Sequence, residues 1–212
     1  ADGLGGYENG ATASAVGVRS IARSLTQGAF LELLAKDPEK AANSFEELVA
    51  QAIQQANRDI RAKAEGGATT MTVVLLARDT IVLGHVGDSR AYLVKADGME
   101  QLTRDHSLVQ QLVDTGTITE EEAENHPQRN VLWNAMGKSI DVKVDTQVLQ
   151  KPQEAYLLLC TDGLWGVVSE EQMHRLIYDA GDPQLACEAL VASANAAGGP
   201  DNVTVVAVYF PE

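Results

Sequence analysis

The stretch Gly66-Gly67-Ala68-Thr69-Thr70-Met71-Thr72-Val73-Val74-Leu75-Leu76-Ala77-Arg78-Asp79-Thr80-Ile81-Val82-Leu83-Gly84-His85-Val86 (residues 66–86) sets the architecture. Residues 70–77 and 81–86 are apolar and β-branched, and Arg78-Asp79-Thr80 between them is short and polar, which predicts two strands joined by a turn. Upstream, Phe45, Leu48, Val49, Ala52, Ile53, Ala56 and Ile60 recur at helical spacing, so residues 44–62 are expected to form an amphipathic helix. Ser44 and Glu47 could form its capping box, and Gly66-Gly67 stops it. Residues 10–35, with Ala13, Val16, Ile21 and Leu25 among small residues, predict a further helix with one close-packed side.

Downstream, residues 89–95 are expected to continue the meander, and Ala96-Asp97-Gly98 is a hairpin signal. Residues 107–140 read as mostly helical and polar, an excursion from the sheets. Residues 144–150 and 155–160 read as strands, 169–179 and 183–197 as helices, and 203–209 as a last strand. Helices, a block of strands, two more helices and a final strand predict an α/β (α+β) sandwich of antiparallel sheets flanked by helices, in one domain spanning 1–212. There is no internal repeat and no low-complexity linker.

The 212 residues suffice for one sizeable core. No apolar run reaches bilayer-spanning length, so no membrane insertion is expected in this segment. The formal charge of −14, from 16 basic against 30 acidic residues, repels nucleic acid and anionic membranes and would concentrate divalent cations; on its own it serves solubility equally well. Cys160 and Cys187 form no CxxC pair, and Cys160 reads as a small buried thiol, which points to the cytoplasm.

Three turns carry candidate chemistry: Asp2-Gly3-Leu4-Gly5-Gly6, Thr161-Asp162-Gly163-Leu164-Trp165-Gly166 and Gly198-Gly199-Pro200-Asp201-Asn202. Each places a carboxylate at a strand end beside glycines, where an ion or phosphate can approach the main chain. Carboxylates converging from distant positions are a way to hold hard cations such as Mg²⁺ or Mn²⁺. Taken singly, each is also an ordinary tight turn.

With these turns, seven ordered segments make the chain resemble the metal-dependent (PPM, type 2C) serine/threonine protein phosphatases of bacterial type. They are ADGLGG at 1–6, GATTMTVVLL at 67–76, GHVGDSRAYL at 84–93, LTRDHSLVQQLVDTG at 102–116, HPQRNVLWNAMG at 126–137, LLLCTDGLWGVVS at 157–169 and GGPDNVTVVAV at 198–208. The resemblance implies a four-layer α-β-β-α sandwich around two central antiparallel sheets. It implies two Mn²⁺ or Mg²⁺ ions, with Asp2 bridging them, Gly3 ligating one through its carbonyl, and Asp162 and Asp201 completing a shell. Asp105 corresponds to a ligand of a third ion, sharing Asp162, and residues 108–135 to a flap that influences substrate choice. The catalytic set so implied is Asp2, Asp162 and Asp201. A metal-bridging water would attack the phosphorus of phosphoserine or phosphothreonine in line, with no phospho-enzyme. Phosphorylated proteins are the implied substrates, a cognate serine/threonine kinase an implied partner, and a monomer the expected state.

Other residues carry less specific readings. Asp88 and Arg90 read as a structural pair or as support for the site, and His85 as a packed core histidine. His106 either supports the site from behind its ligands or lies at the surface. His126 and Arg129 could contact phosphate or protein, or close a helix end. Trp165 reads as core packing.

The chain departs from the family pattern in three places. Members normally carry an upstream strand pair with an Arg for the substrate phosphate and an acidic residue for the second metal; here Ala1 directly precedes Asp2, so an upstream segment is expected. Leu4 stands where some members have a His that could serve as general acid. Gly166 stands where some have a further Asp for the third metal. Two rival functions fit the same residues: a regulatory or pseudophosphatase binding domain, and a phosphatase of small phosphoesters.

Overall fold

The computed structural model describes residues 1–4, 9–33 and 38–212. Gly5 and Gly6 of the first turn, and the last two residues of the expected helix 10–35, lie outside them. The elements in order are α1 (Gly10–Leu33), α2 (Pro38–Lys63), β1 (Met71–Ala77), β2 (Thr80–Val86), β3 (Arg90–Lys95), β4 (Gly98–Gln101), α3 (Leu108–Asp114), α4 (Glu120–Glu124), β5 (Asp145–Gln150), β6 (Ala155–Cys160), α5 (Asp162–Trp165), α6 (Glu170–Ala180), α7 (Pro183–Ala196) and β7 (Val205–Phe210). They make two compact units, residues Ala1–Asp88 with Asp105–Gln150, and Ser89–Arg104 with Lys151–Glu212.

The first unit holds the antiparallel sheet β1-β2-β5. Met71 pairs with Val86 and Ala77 with Thr80, so the expected turn is there but is only Arg78-Asp79, with Thr80 opening β2 and Arg78 at a positive φ. Phe45, Val49, Ala52, Ile53, Ala56 and Ile60 of α2 are all buried and cluster with Ala13 and Ile21 of α1 and with Met71, Val82 and Val86 of the sheet. Each large aliphatic chain in that cluster contributes about 2 kcal/mol relative to exposure. The helix does not begin at Ser44. It starts at Pro38, because proline is favoured in the first turn, where its missing N–H costs nothing. Ser44 therefore lies inside α2 and caps nothing.

The second unit holds the antiparallel sheet β4-β3-β6-β7. Ser169 caps α6 by accepting from the Gln172 N–H, and Gly181 follows that helix at φ 63°. Asp182 caps α7 through the Gln184 and Leu185 N–H groups, with Pro183 opening the helix. Met173, Ile177, Ala186, Leu190 and Ala194 bury the apolar sides of these helices with Tyr92, Val94, Tyr156 and Leu158 of the strands.

Two expectations fail here. β3 does not continue the meander: it pairs with β4 and β6, not with β2. The chain leaves the first sheet at Gly87, whose φ of 110° breaks the extended run. Nor is 107–140 mostly helical. Only α3 and α4 are helices, capped by Ser107 and by a Thr119/Glu122 capping box, and neither buries a residue. Helices with no buried face have little to extend them beyond their caps.

Candidate metal centre

In the first unit, the segment carrying Asp2 is held by an isolated antiparallel bridge of Gly3 to Thr69 and by hydrogen bonds around Asp2. Its backbone carbonyl accepts from the Thr70 N–H (2.9 Å) and from the Thr69 hydroxyl (2.7 Å). The Asp2 N–H donates to Thr70 Oγ1 (2.9 Å), and the Leu4 N–H to the Ala68 carbonyl (3.0 Å). Thr69 is fully buried and in turn exchanges backbone hydrogen bonds with Met136 (2.9 and 3.1 Å). Gly3 crosses the start of α1 at close range: a Cβ on Gly3 would lie 2.5 Å from the Gly10 carbonyl group, and one on Gly10 2.8 Å from the Leu4 oxygen. Two side-chain-free positions let the main chain of the Asp2 turn lie against the helix start.

Asp105, 5% exposed, belongs to the same unit, next to a polar joint built on His106. The Asn134 amide is oriented by Lys143: its Nδ2 donates to the Lys143 carbonyl (2.8 Å) and its Oδ1 accepts from the Lys143 N–H (3.3 Å). Nδ2 therefore also donates to His106 Nδ1 (2.8 Å), which accepts from the Gly87 N–H as well (3.2 Å). Nδ1 keeps its lone pair, so the proton sits on Nε2 and is donated to Asp145 Oδ2 (2.9 Å). Burial holds the His106 pKa below the usual histidine value, against the pull of Asp145. Burial would raise Asp145, but the hydrogen bonds from His106 and Lys143 outweigh it and hold the carboxyl low. His106 is 1% exposed, so the surface reading of it fails. His85 is equally buried, with Nδ1 2.9 Å from the Thr72 hydroxyl and its ring 5.0 Å from that of His106.

In the second unit, the turns bearing Asp162 and Asp201 are brought together. Thr161 N–H donates to the Thr204 carbonyl (3.2 Å); the Thr161 hydroxyl donates to the Asn202 carbonyl (3.3 Å) and accepts from the Thr204 N–H (3.1 Å). A Cβ on Gly163 would collide with the Asn202 carbonyl. Asp162 opens α5 and is half-buried; Asp201 is exposed and accepts from the Asn202 N–H (2.7 Å). Trp165 is not simply core: the Arg90 guanidinium lies 3.7 Å over its ring, and Arg90 also donates to the Tyr92 hydroxyl (3.1 Å). Arg129 is exposed and His126 half-buried; His126 Nδ1 accepts from the Gln128 N–H, closing the short turn after α4.

Among the described residues, no group of three or more His, Cys, Asp or Glu side chains that could hold a metal ion comes together. The donors on offer are carboxylate oxygens and main-chain carbonyls, at Gly3 and Gly163 turns whose missing Cβ atoms permit close approach. That set fits Mg²⁺ or Mn²⁺ and lacks the sulfur and imidazole cluster that zinc prefers. Thr69, Thr161, Asn134, Asp145 and Gly10 support these positions; Thr69 and Thr161 lie inside quoted segments without a role of their own there, and Asp145 and Gly10 lie in none. Asn134 lies inside the HPQRNVLWNAMG segment, which is the one signal that could have drawn attention to it.

Comparison with known proteins agrees with this donor chemistry. The family model Protein phosphatase 2C matches residues 1–187. The serine/threonine phosphatase stp of Listeria innocua is 38% identical over 98% of the chain and 82% of its own length. The crystal structure of the Mycobacterium tuberculosis serine/threonine phosphatase PstP/Ppp superimposes with a TM-score of 0.84 at 32% identity, covering 100% of this chain and 86% of that one. A catalytic domain of PstP in complex with two manganese ions gives a TM-score of 0.81 at 29% identity, covering 99% and 85%. The α+β sandwich with antiparallel sheets flanked by helices is the shared fold. The chain belongs to the protein phosphatase 2C family of Mn²⁺- or Mg²⁺-dependent serine/threonine phosphatases.

Proposed function

We propose that residues 1–212 act as one catalytic domain on phosphoserine and phosphothreonine in proteins, with Asp2, Asp162 and Asp201 as the catalytic metal-holding carboxylates and the Gly3 carbonyl as a further ligand. Asp105 serves a third, weaker ion, and residues 108–135 act as the flap that meets the substrate. The metals, when bound, supply an acidified water and neutralise phosphoryl charge. The chain's own residues do the positioning. Thr69 and Thr70 fix the main chain at Asp2, and Thr161 locks the Asp162 turn to the Asp201 turn. That lock is the observation that carries the reading: the turns that bear two carboxylates 39 residues apart in sequence are joined through Thr161 by hydrogen bonds that a simple turn does not need.

A cognate serine/threonine kinase supplies the phosphorylated substrate, and the chain works as a monomer. A cytoplasmic location is supported by two unbridged cysteines, Cys160 and Cys187. No helix among the described residues is long and apolar enough to cross a membrane.

The test is steady-state hydrolysis of a phosphothreonine peptide, with calorimetric Mn²⁺ titration, for Asp162→Asn and Ser169→Ala. Asp162→Asn is expected to lower turnover by about 100-fold or more and to weaken metal binding. Ser169→Ala, which removes only the α6 cap, keeps wild-type turnover while costing about 1 kcal/mol of stability. Equal activity in the two variants means that residues 161–163 are a structural turn only.

A further inference from the structure

We propose that Asn134, His106 and Asp145 form a positioning relay that sets Asp105 for metal binding and ties both roots of the 107–133 excursion to the end of β2. The inference rests on the reading of Asp105 as a metal ligand. His106 follows Asp105 by one peptide bond, and all of its polar atoms are engaged. Its N–H donates to the Gly87 carbonyl (2.7 Å) and its carbonyl accepts from the Trp133 N–H (3.0 Å). Its ring takes the Gly87 N–H and the Asn134 amide on Nδ1 and gives its Nε2 proton to Asp145. The ring also lies 4.8 Å, centroid to centroid, from that of Trp133.

The geometry makes His106 the meeting point of three otherwise separate pieces. Gly87 belongs to the exit from β2. Trp133 and Asn134 are the returning root of the excursion, which leaves at Ser107, opposite Leu132. Asp145 opens β5, paired in register with His85. A shift of any one piece moves the ring, and the backbone at 105–106 moves with it. An apolar residue in place of His106 would fill the space but leave the Gly87 N–H, the Asn134 amide and Asp145 to find other partners. Outer partners of this kind fix the orientation of metal-binding groups they do not themselves contact.

The experiment compares Asp145→Ala, Asp145→Asn, Asn134→Ala and Asp105→Ala by Mn²⁺ calorimetry, by kcat and KM on a phosphothreonine peptide, and by thermal unfolding. Asp145→Ala is expected to weaken the weakest Mn²⁺ by about 10-fold, leaving the tighter ions in place and lowering kcat more than it changes KM. Asp145→Asn still accepts from Nε2–H and is expected to restore binding to within about twofold of wild type. If Asp145→Ala is folded and titrates every ion as wild type while Asp105→Ala loses one, the relay is overturned and the ligand assignment stands. If Asp105→Ala loses none, the ligand assignment fails and the relay fails with it. Should Asp145→Ala not fold, Asn134→Ala carries the same expectation and the same refutation. The ¹⁵N spectrum of the His106 ring adds a reading that no variant affects: a neutral ring protonated on Nε2 supports the relay, and one protonated on Nδ1 overturns it.

Discussion

The hydroxyl of Thr161 accepts from one main-chain group of the 202–204 segment and donates to another. Thr161→Val keeps the shape, removes both bonds and leaves the buried site without a polar partner. It is expected to cost about 1–3 kcal/mol in urea unfolding and to raise the Mn²⁺ concentration needed for half-maximal activity. Unchanged stability and unchanged metal requirement would show that the two turns hold themselves. Gly10→Ala meets backbone rather than a movable side chain, 2.8 Å from the Leu4 oxygen, and is expected to destabilise by about 1–3 kcal/mol. Gly98→Ala meets nothing within 4 Å, and its urea midpoint serves as the reference. The candidate carboxylates Asp2, Asp162 and Asp201 stand out because acid-plus-glycine turns are local patterns, whereas Asp105 enters only through the resemblance of its segment. Gly10, Thr161, Asn134 and Asp145 do not stand out, because each acts through a partner that sequence spacing does not reveal; Asp145 and His106 are 39 positions apart.

Helix α2 shows the same division at the scale of elements. Its buried face follows from periodicity, whereas its start at Pro38 does not, since a good cap at Ser44 competes with a proline six residues earlier. The exchange of sheets at Gly87 was hidden for a related reason: alternating apolar residues report that a strand is half-buried, not which strand lies beside it. The α1–α2 pair also carries a polar feature that titrates. Asp59 Oδ2 accepts from the Ser20 hydroxyl (2.8 Å) and the Arg23 guanidinium (3.2 Å), and Oδ1 from the Gln55 amide (3.1 Å), with the Lys63 ammonium 3.7 Å away. The Ser20 hydrogen bond, helped by Gln55, Lys63 and Arg23 against burial, holds its carboxyl below the ordinary aspartate value. A carboxyl whose folded pKa is depressed stabilises the fold above its unfolded pKa, about 3.9, and loses that stabilisation as pH falls through the folded value. The stability gap between wild type and Asp59→Asn is therefore expected at pH 7 and should close below about pH 4. Urea unfolding at several pH values measures it, and a gap independent of pH would mean that the carboxylate charge contributes nothing.

For the whole molecule, the net charge of −14 sets the frame. If the proposed carboxylates hold cations, they repel one another when the cations are gone, and ion binding and folding are then coupled. Millimolar Mn²⁺ is expected to raise the melting temperature by several degrees, about 1–3 kcal/mol of linkage for an ion bound with a Kd of about 10–200 μM. Chelation is expected to abolish turnover on the phosphopeptide, and calorimetric scans with and without chelator check both effects. Full activity after rigorous metal removal would contradict the family's chemistry in this chain.

The order in which the strands are stitched has a consequence for how the chain can be cut. Each compact unit is assembled from two separate segments, because β2 pairs with β5 and β3 pairs with β6, both ladders spanning the 107–133 excursion. Gly116, between α3 and α4, is exposed at a positive φ and carries no packing. A chain opened there is a two-piece molecule rather than a shortened one: the N-terminal piece brings β1–β4, the C-terminal piece brings β5–β7, and neither can complete a sheet alone. The pieces are held by two β-ladders, so they separate only when both fail. Expressed as separate chains, the two pieces are expected to find each other by strand pairing, which co-purification of one with the other would check.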